Sequence, residues 1–331
     1  MNSLKKVGVL GIGSYVPESI LNNHDLEKMV DTSDEWIKSR TGIEERRIAG
    51  TNESTSDLAY IAAKNALEDA KVDASELDLI IVATMTPDYF TPATAAIIQH
   101  RLGAKNCAAF DLSSACSGQV YSMVVASNFV ATGAYKKVLV IGAETLSKVI
   151  DWTDRNTCIL FGDGASAFVL GEVEEGYGIK SFDLGADGGG EYALLVPGGG
   201  SRKPASEETL VDKEHFLKMN GKEVFKFAVT VLPETMTRSL ELASLTTKDI
   251  AMVVPHQANY RIVSAAAKKL ELPEDKFYMN LNKYGNTSGA SIGLALTEAY
   301  EKGLVKKGDN LVLVGFGAGL SYASLVLTWS K

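Results

Sequence analysis

Residues 78–84 read DLIIVAT and residues 249–255 read DIAMVVP. Each is a short apolar run of strand length set behind an aspartate. Each also follows a longer stretch with helical apolar spacing, 57–70 in the first case and 223–243 in the second. Working outward from 78–84, a helix near 93–102 leads to the strand CAAFDL at 107–112. A second helix, 117–132, leads to KVLVIGAE at 137–144, and TCILFGDGASAFVLGEV at 157–173 predicts two strands around a glycine-rich turn. Beyond 249–255 the order recurs. Helix 259–270 leads to FYMNL at 277–281, helix 288–302 leads to NLVLVGF at 310–316, and GLSYASLVLTW closes the chain. This alternation is the signature of an α/β layered fold. By subtraction, Asp78 and Asp249 lie 171 positions apart, Gly118 and Gly289 also 171, and Gly142 and Gly315 173. The near-constant offset predicts internal duplication, with halves at 1–173 and 174–331. Strand-end turns from the two halves would then face a shared crevice, where ligands gather in α/β sheets.

Composition narrows the function classes. The 331 residues suffice for two domains, and 46% apolar with 22% charged residues is ordinary for a globular protein. Apolar strings such as 79–83 and 138–141 are far shorter than the roughly 20 residues of a membrane span. The start, MNSLKKVGVLGIGSYVP, reads as a first strand and turn rather than a signal peptide, so a cytoplasmic location is expected. A net charge of −8 with no broad basic tract disfavours a nucleic-acid partner. Three cysteines, with no CxxC pair, favour neither a disulfide framework nor a zinc site.

Three turns carry the candidate chemistry. The first is Phe110-Asp-Leu-Ser-Ser-Ala-Cys116-Ser-Gly-Gln119, which places Cys116 at a helix N-terminus. Unpaired N–H groups and the helix dipole there favour a thiolate and lower its pKa. From the local sequence Cys116 reads equally as a nucleophile and as a buried structural thiol. Cys107 and Cys158 read as core residues. The second turn is Val254-Pro255-His256-Gln257, where Pro255 stops a strand directly before His256. A satisfied core histidine is the alternative for His256, whereas His24, His100 and His215 read as surface or packing residues. The third is Tyr284-Gly285-Asn286-Thr287-Ser288-Gly289, the repeat counterpart of the first. Asn286 there reads equally as a ligand-facing amide and as a helix N-cap.

Taken together, DTSDEWIKSRTGI at 31–43, DLSSACSG at 111–118, DWTDRNTCILFGDGA at 151–165, VPHQANYRI at 254–262 and YGNTSGASI at 284–292 resemble the β-ketoacyl-acyl-carrier-protein synthase III family. The resemblance covers essentially the whole chain. It implies a thiolase-like fold, an internally duplicated five-layered αβαβα arrangement. The activity it implies is condensation of an acyl-CoA primer with malonyl-acyl carrier protein, with loss of CO2, at the start of fatty-acid synthesis. By the family pattern Cys116 is the nucleophile, and His256 and Asn286 form the decarboxylation site. The resemblance further implies that Trp36 and Arg155 flank the adenine of coenzyme A, with Thr32, Arg40 and Arg261 near its tunnel. Gly317, Ala318 and Gly319 would form the oxyanion loop. Lys222, Lys226, Arg261, Lys268 and Lys269 are candidates for docking the acidic carrier protein, although Lys268 and Lys269 read equally as a solvated helix face. A homodimer without metal or organic cofactor is implied as well, with coenzyme A thioester entering as substrate.

The chain departs from that pattern at four places. Ala318 replaces a glycine at the oxyanion loop and would be strained if its φ were positive. Tyr322 stands for a usual tryptophan, Gln119 for an aromatic, and Phe90-Thr91 is shifted by one place relative to a pocket-limiting phenylalanine. These departures bear on primer choice. Among relatives of the fold, degradative thiolases use a second cysteine in the C-terminal half, which this chain lacks, and elongating enzymes use two histidines, whereas only His256 stands at a strand end here. A specialised condensing or acyl-transferring relative with an unusual primer or acceptor is the runner-up. A non-catalytic acyl-carrier-binding subunit is the reading from a different class.

Overall fold

The computed structural model describes residues 4–331. Its first sheet runs Val7–Tyr15, Gly164–Glu172, Lys137–Glu144, Leu79–Ala83, Ala108–Leu112 in spatial order. The second runs Gly178–Ala186, Ser321–Thr328, Asn310–Gly317, Met252–Pro255. Leu79–Ala83 pairs in parallel with Lys137–Glu144, and Met252–Pro255 pairs in parallel with Asn310–Gly317. Even the register repeats, with Leu79 opposite Val138 and Met252 opposite Leu311.

Helices Gly118–Ala131 and Ser291–Glu301 lie between the sheets and pack on both. The first is apolar around most of its circumference, as a helix buried on all sides must be. Helices Thr55–Ala70 and Thr94–Leu102 cover the outer face of one sheet, and Gly221–Leu242 with Tyr260–Lys269 covers the other. The layers are therefore αβαβα. No helix among the described residues is long and apolar enough to cross a membrane.

The duplication is real, and across the elements around the site its offset is constant. Leu79 to Met252, Gly118 to Ser291 and Lys137 to Asn310 start equivalent elements, each pair 173 positions apart by subtraction. This corrects two of the sequence landmarks. Asp249 matches Glu76, because both close capping boxes, with Asp73 and Thr246 as the respective N-caps. Asp78 instead accepts from the Lys136 and Lys137 amides. Gly289 matches Cys116 rather than Gly118.

Two expected strands are absent in the regular form. FYMNL contributes one isolated bridge, Val253 to Phe277, before a helical turn at Leu281–Tyr284. The segment from Thr157 opens in a helical turn, Arg155–Cys158, capped by Asp154, and only Gly164–Glu172 is a strand. Local Asx capping overrides the apolar run there. Cys158 is buried in that turn, whereas Cys107 sits half-buried just before its strand.

Candidate active site

After strand Ala108–Leu112 the chain enters a tight 3-10 turn, Ala115–Ser117, ahead of helix Gly118–Ala131. Ala115 has φ 43°, a left-handed value that costs an L-residue about 1–2 kcal/mol. Its counterpart Ser288, 173 positions on, has φ 45°. The strained residue in each half thus directly precedes the position of Cys116 or Gly289. The turn is held to the second half of the chain: the Ser117 and Ser321 hydroxyls lie 2.8 Å apart, and Ser117 also donates to the Ser114 carbonyl. Gly317 lies against the nucleophile, so that a Cβ on it would stand 2.9 Å from the Cys116 amide and 3.1 Å from Sγ.

Pro255 ends its strand, and the next amide, that of His256, donates to the Val314 carbonyl at 2.7 Å. The imidazole stands edge-on to Phe316, with ring centroids 5.3 Å apart, and its Nδ1 lies 2.7 Å from Ser291 Oγ. Burial drives its pKa down to about 3, so the ring is neutral at physiological pH. Asn286 follows Gly285, whose φ of 62° and close approach to the Leu160 carbonyl suit only glycine. The Asn286 amide donates to Leu160, and Asn286 Oδ1 accepts from the Ser288 amide at 2.8 Å. That bond fixes which way the side chain faces and leaves the Nδ2 hydrogens for a ligand. Asn286 therefore closes an Asx turn and faces the cavity at once, while the N-cap position of the next helical turn falls to Thr287.

The sequence expectation of a lowered thiol pKa is reversed. Burial pushes the Cys116 thiol up to about 12; the Ser288 hydroxyl pulls it down, and the Glu144 charge raises it further. Cys116 is only 4% exposed, and desolvating a thiolate outweighs the pull of a helix terminus. Glu144, fully buried, accepts from Thr86 Oγ1 at 2.6 Å and Ser288 Oγ at 3.1 Å. Burial raises it to about 7 despite these donors. By the repeat offset Glu144 occupies the position of Gly317, so it fills, beside Gly289, the space that the other half leaves for the cysteine.

Cys116, His256 and Asn286 line one narrow cavity of about 130 Å³. It adjoins a surface cleft of about 900 Å³, with Gly221, Phe225 and Asn259 lining both. Asn259 ties the cleft together: it caps helix Tyr260–Lys269 through the Arg261 amide and donates to the Arg40 carbonyl. The cleft gathers Trp36, Arg40, Lys222, Arg261 and Lys268, and its lining includes no Asp or Glu. Arg155 lies outside that lining, yet its guanidinium sits 4.9 Å over the Trp36 ring, with Arg40 also over that ring at 5.5 Å. Thr32 lies outside too; its hydroxyl is buried without a protein partner. Lys226 does not line the cleft, and Lys269 turns to Glu234 at 3.6 Å.

The departures fall differently from expectation. Ala318 does not have positive φ; in the loop that falls to Gly319, at 135°, so Ala318 carries no such strain. Gln119 bridges the halves, donating to Ser166 Oγ and accepting from the Gly293 amide, and does not line the cavity. Tyr322 packs near Phe227 and under Arg238, also away from it. Phe90 is 90% exposed. His24, His100 and His215 are on the surface. Sequence reasoning missed Glu144, Ser291 and Phe316. For Phe316 and Glu144 the signal was their place at the ends of strands equivalent by the repeat. Ser291 carried none.

Known proteins share this fold. The family model for 3-oxoacyl-[acyl-carrier-protein (ACP)] synthase III matches residues 110–188, and that for the C terminal of the same enzyme matches residues 240–329. A beta-ketoacyl-[acyl-carrier-protein] synthase III from Caldanaerobacter subterraneus is 60% identical over 98% of both chains. Its counterpart from Fusobacterium nucleatum is 53% identical over 99% of this chain and 100% of that one. The crystal structure of 3-oxoacyl-[acyl-carrier-protein] synthase III from Aquifex aeolicus superposes with a TM-score of 0.91 at 44% identity, covering 98% of this chain and 100% of that one. With both halves matched and the likeness running the length of the chain, the protein is a member of the 3-oxoacyl-[acyl-carrier-protein] synthase III family, an acyltransferase of the thiolase fold.

Proposed function

We propose that this enzyme condenses an acyl-CoA primer with malonyl-acyl carrier protein, giving 3-oxoacyl-acyl carrier protein, CoA and CO2, at a site made of Cys116, His256 and Asn286. The observation that carries the assignment is the shared cavity, where a thiol and two neutral N–H donors converge behind a basic cleft. Cys116 attacks the thioester carbonyl; its proton passes to the departing CoA sulfur, leaving an acyl-cysteine. In this reading the amides of the Cys116 turn and of the Gly317–Gly319 loop hold the tetrahedral oxyanion; its support is Gly317, which lines the cavity against Cys116. In the second stage malonyl carrier protein loses CO2, and the electron pair moves onto the thioester as an enolate. Neutral His256 and the Asn286 amide can both donate to that oxygen, where a carboxylate would repel it. The enolate carbon attacks the acyl-cysteine, and the thiolate leaves and regains a proton. Every group in this scheme belongs to the chain or to the substrates, so no metal or organic cofactor is called for.

The cleft suits coenzyme A at its mouth. Trp36 would stack on a planar base once Arg155, now 4.9 Å over its ring, swings aside to cover the base's other face, and Arg40, Lys222, Arg261 and Lys268 would meet phosphates or the acidic carrier protein. Such a patch offers an acidic protein a local site despite the net charge of −8. A homodimer is part of the reading. Its support is the rim strand Ala108–Leu112, with Phe110 exposed, and the exposed Phe90 nearby in sequence.

Mass spectrometry after mixing with acyl-CoA thioesters tests the first stage: an acyl adduct on Cys116 is expected, and none with any thioester would favour a binding subunit. His256→Ala and Asn286→Ala should abolish CO2 release from malonyl carrier protein while leaving that adduct. Equal loss of both half-reactions would contradict the division of roles.

A further inference from the structure

We propose that Ser291 is a positioning residue: its hydroxyl donates to His256 Nδ1 and so holds the imidazole proton on Nε2, the nitrogen that faces the enolate. This rests on the decarboxylating role assigned to His256 above. Ser291 is the first residue of helix Ser291–Glu301, 1% exposed, with Oγ 2.7 Å from Nδ1. A contact that short between neutral groups is a hydrogen bond, and its direction decides the chemistry.

Two arrangements are possible for a neutral ring. If Nδ1–H donated to Ser291, Nε2 would present a lone pair to an oxygen gaining negative charge, and would repel it. If Ser291 donates, Nε2 carries the hydrogen and stabilises the enolate. A second contact favours the latter: the Gln257 amide points at Ser291 Oγ from 3.4 Å, which occupies an acceptor side of the hydroxyl and turns its hydrogen elsewhere. No carboxylate competes for Nδ1, since burial alone accounts for the depressed basicity of the ring. Phe316 covers one edge of the imidazole and offers no acceptor. The two decarboxylating groups are then oriented by different means, Asn286 by a backbone amide and His256 by a side chain that can be removed.

The decisive measurement is 15N NMR of the histidine-labelled wild-type enzyme, which should show His256 protonated at Nε2 and bare at Nδ1. A proton on Nδ1 would overturn the proposal without any variant. Ser291→Ala should slow CO2 release from malonyl carrier protein by about 10–100-fold, as losing the partner of an oriented histidine commonly does. Acyl-adduct formation on Cys116 should stay within about threefold, because that step does not use Nε2–H. Ser291→Thr, which keeps a hydroxyl, should restore both the tautomer and the rate. In a His256→Asn background, where no tautomer exists to be set, adding Ser291→Ala should cost nothing further. An equal cost in both backgrounds, or undiminished CO2 release in Ser291→Ala, would show the role to be merely structural. Failure of wild-type enzyme to form the Cys116 adduct would instead sink the functional assignment, leaving the NMR result to judge the tautomer separately.

Discussion

Gly317 and Cys116 come from opposite halves of the chain, yet a β-carbon on Gly317 would stand 2.9 Å from that of Cys116. The other half repeats the crossing two residues earlier on its strand, at the counterpart of Gly315: Gly142 packs so closely on the Gly289 backbone that a Cβ there would overlap the carbonyl. Each half thus presses a strand against the other half's turn, and the active site is the seam.

Gly317→Ala is therefore expected to displace Cys116. Overpacking of a tight core commonly costs about 1–3 kcal/mol, and the measurable signs are a lowered Tm and a slower Cys116 adduct. Gly142→Ala, whose Cβ would meet the Gly289 carbonyl oxygen at 2.2 Å, should destabilise more. If Gly317→Ala kept both stability and the acylation rate, the seam would be looser than its geometry indicates.

The cleft makes a second prediction. Trp36→Ala should raise KM for acyl-CoA while leaving turnover at saturation close to wild type, because the ring touches no reacting atom. Loss of the stack is worth about 1–2 kcal/mol, or roughly 10-fold. Arg261→Glu should instead weaken malonyl carrier protein in a manner that salt diminishes. Unchanged kinetics with carrier protein would remove Arg261 from the patch.

Stability should respond to pH in opposite directions through two buried groups. His256 is depressed from 6.5 to about 3, so as pH falls through that window the unfolded chain takes up a proton that the folded one refuses. Stability is lost on acidification, by up to about 5 kcal/mol. Glu144 is raised from 4.5 to about 7, so between those values the folded chain binds the proton and the unfolded one does not. Its burial costs up to about 3 kcal/mol above pH 7, and that cost disappears as pH falls to 4.5. The two nearly offset between pH 6.5 and 4.5, and His256 prevails below. Denaturant titrations of wild type and Glu144→Gln from pH 4 to 8 would resolve them. The variant should fall in stability from pH 6.5 downward where wild type stays flat; identical slopes would remove Glu144 as a buried titrating group.

Much of the architecture was legible because α/β order is written in local periodicity, and duplication is written in spacing. The segments 78–84, 249–255 and 310–316 all became strands, and the three turns that end in Cys116, His256 and Asn286 meet at one cavity. The register of the repeat was not legible. Asp78 and Asp249 look alike, but a capping box placed Asp249 opposite Glu76. FYMNL has strand composition, yet the chain offers it one bridge and then turns.

The sequence by itself determined which residue types stand at the strand ends, and through the family motifs it determined the reaction class. What the tertiary structure alone decided is their electrostatic state. A helix terminus near Cys116 is a local feature that favours thiolate, whereas burial, which depends on what the other half of the chain places over it, pushes the thiol up to about 12. The same holds for Glu144 and Ser291, which are unremarkable in sequence. They matter because the packing of one half on the other desolvates Glu144, while helix Ser291–Glu301, in the same half as His256, seats Ser291 2.7 Å from that ring. Spacing along a chain records periodicity, but desolvation and partner choice are properties of contacts that only folding creates.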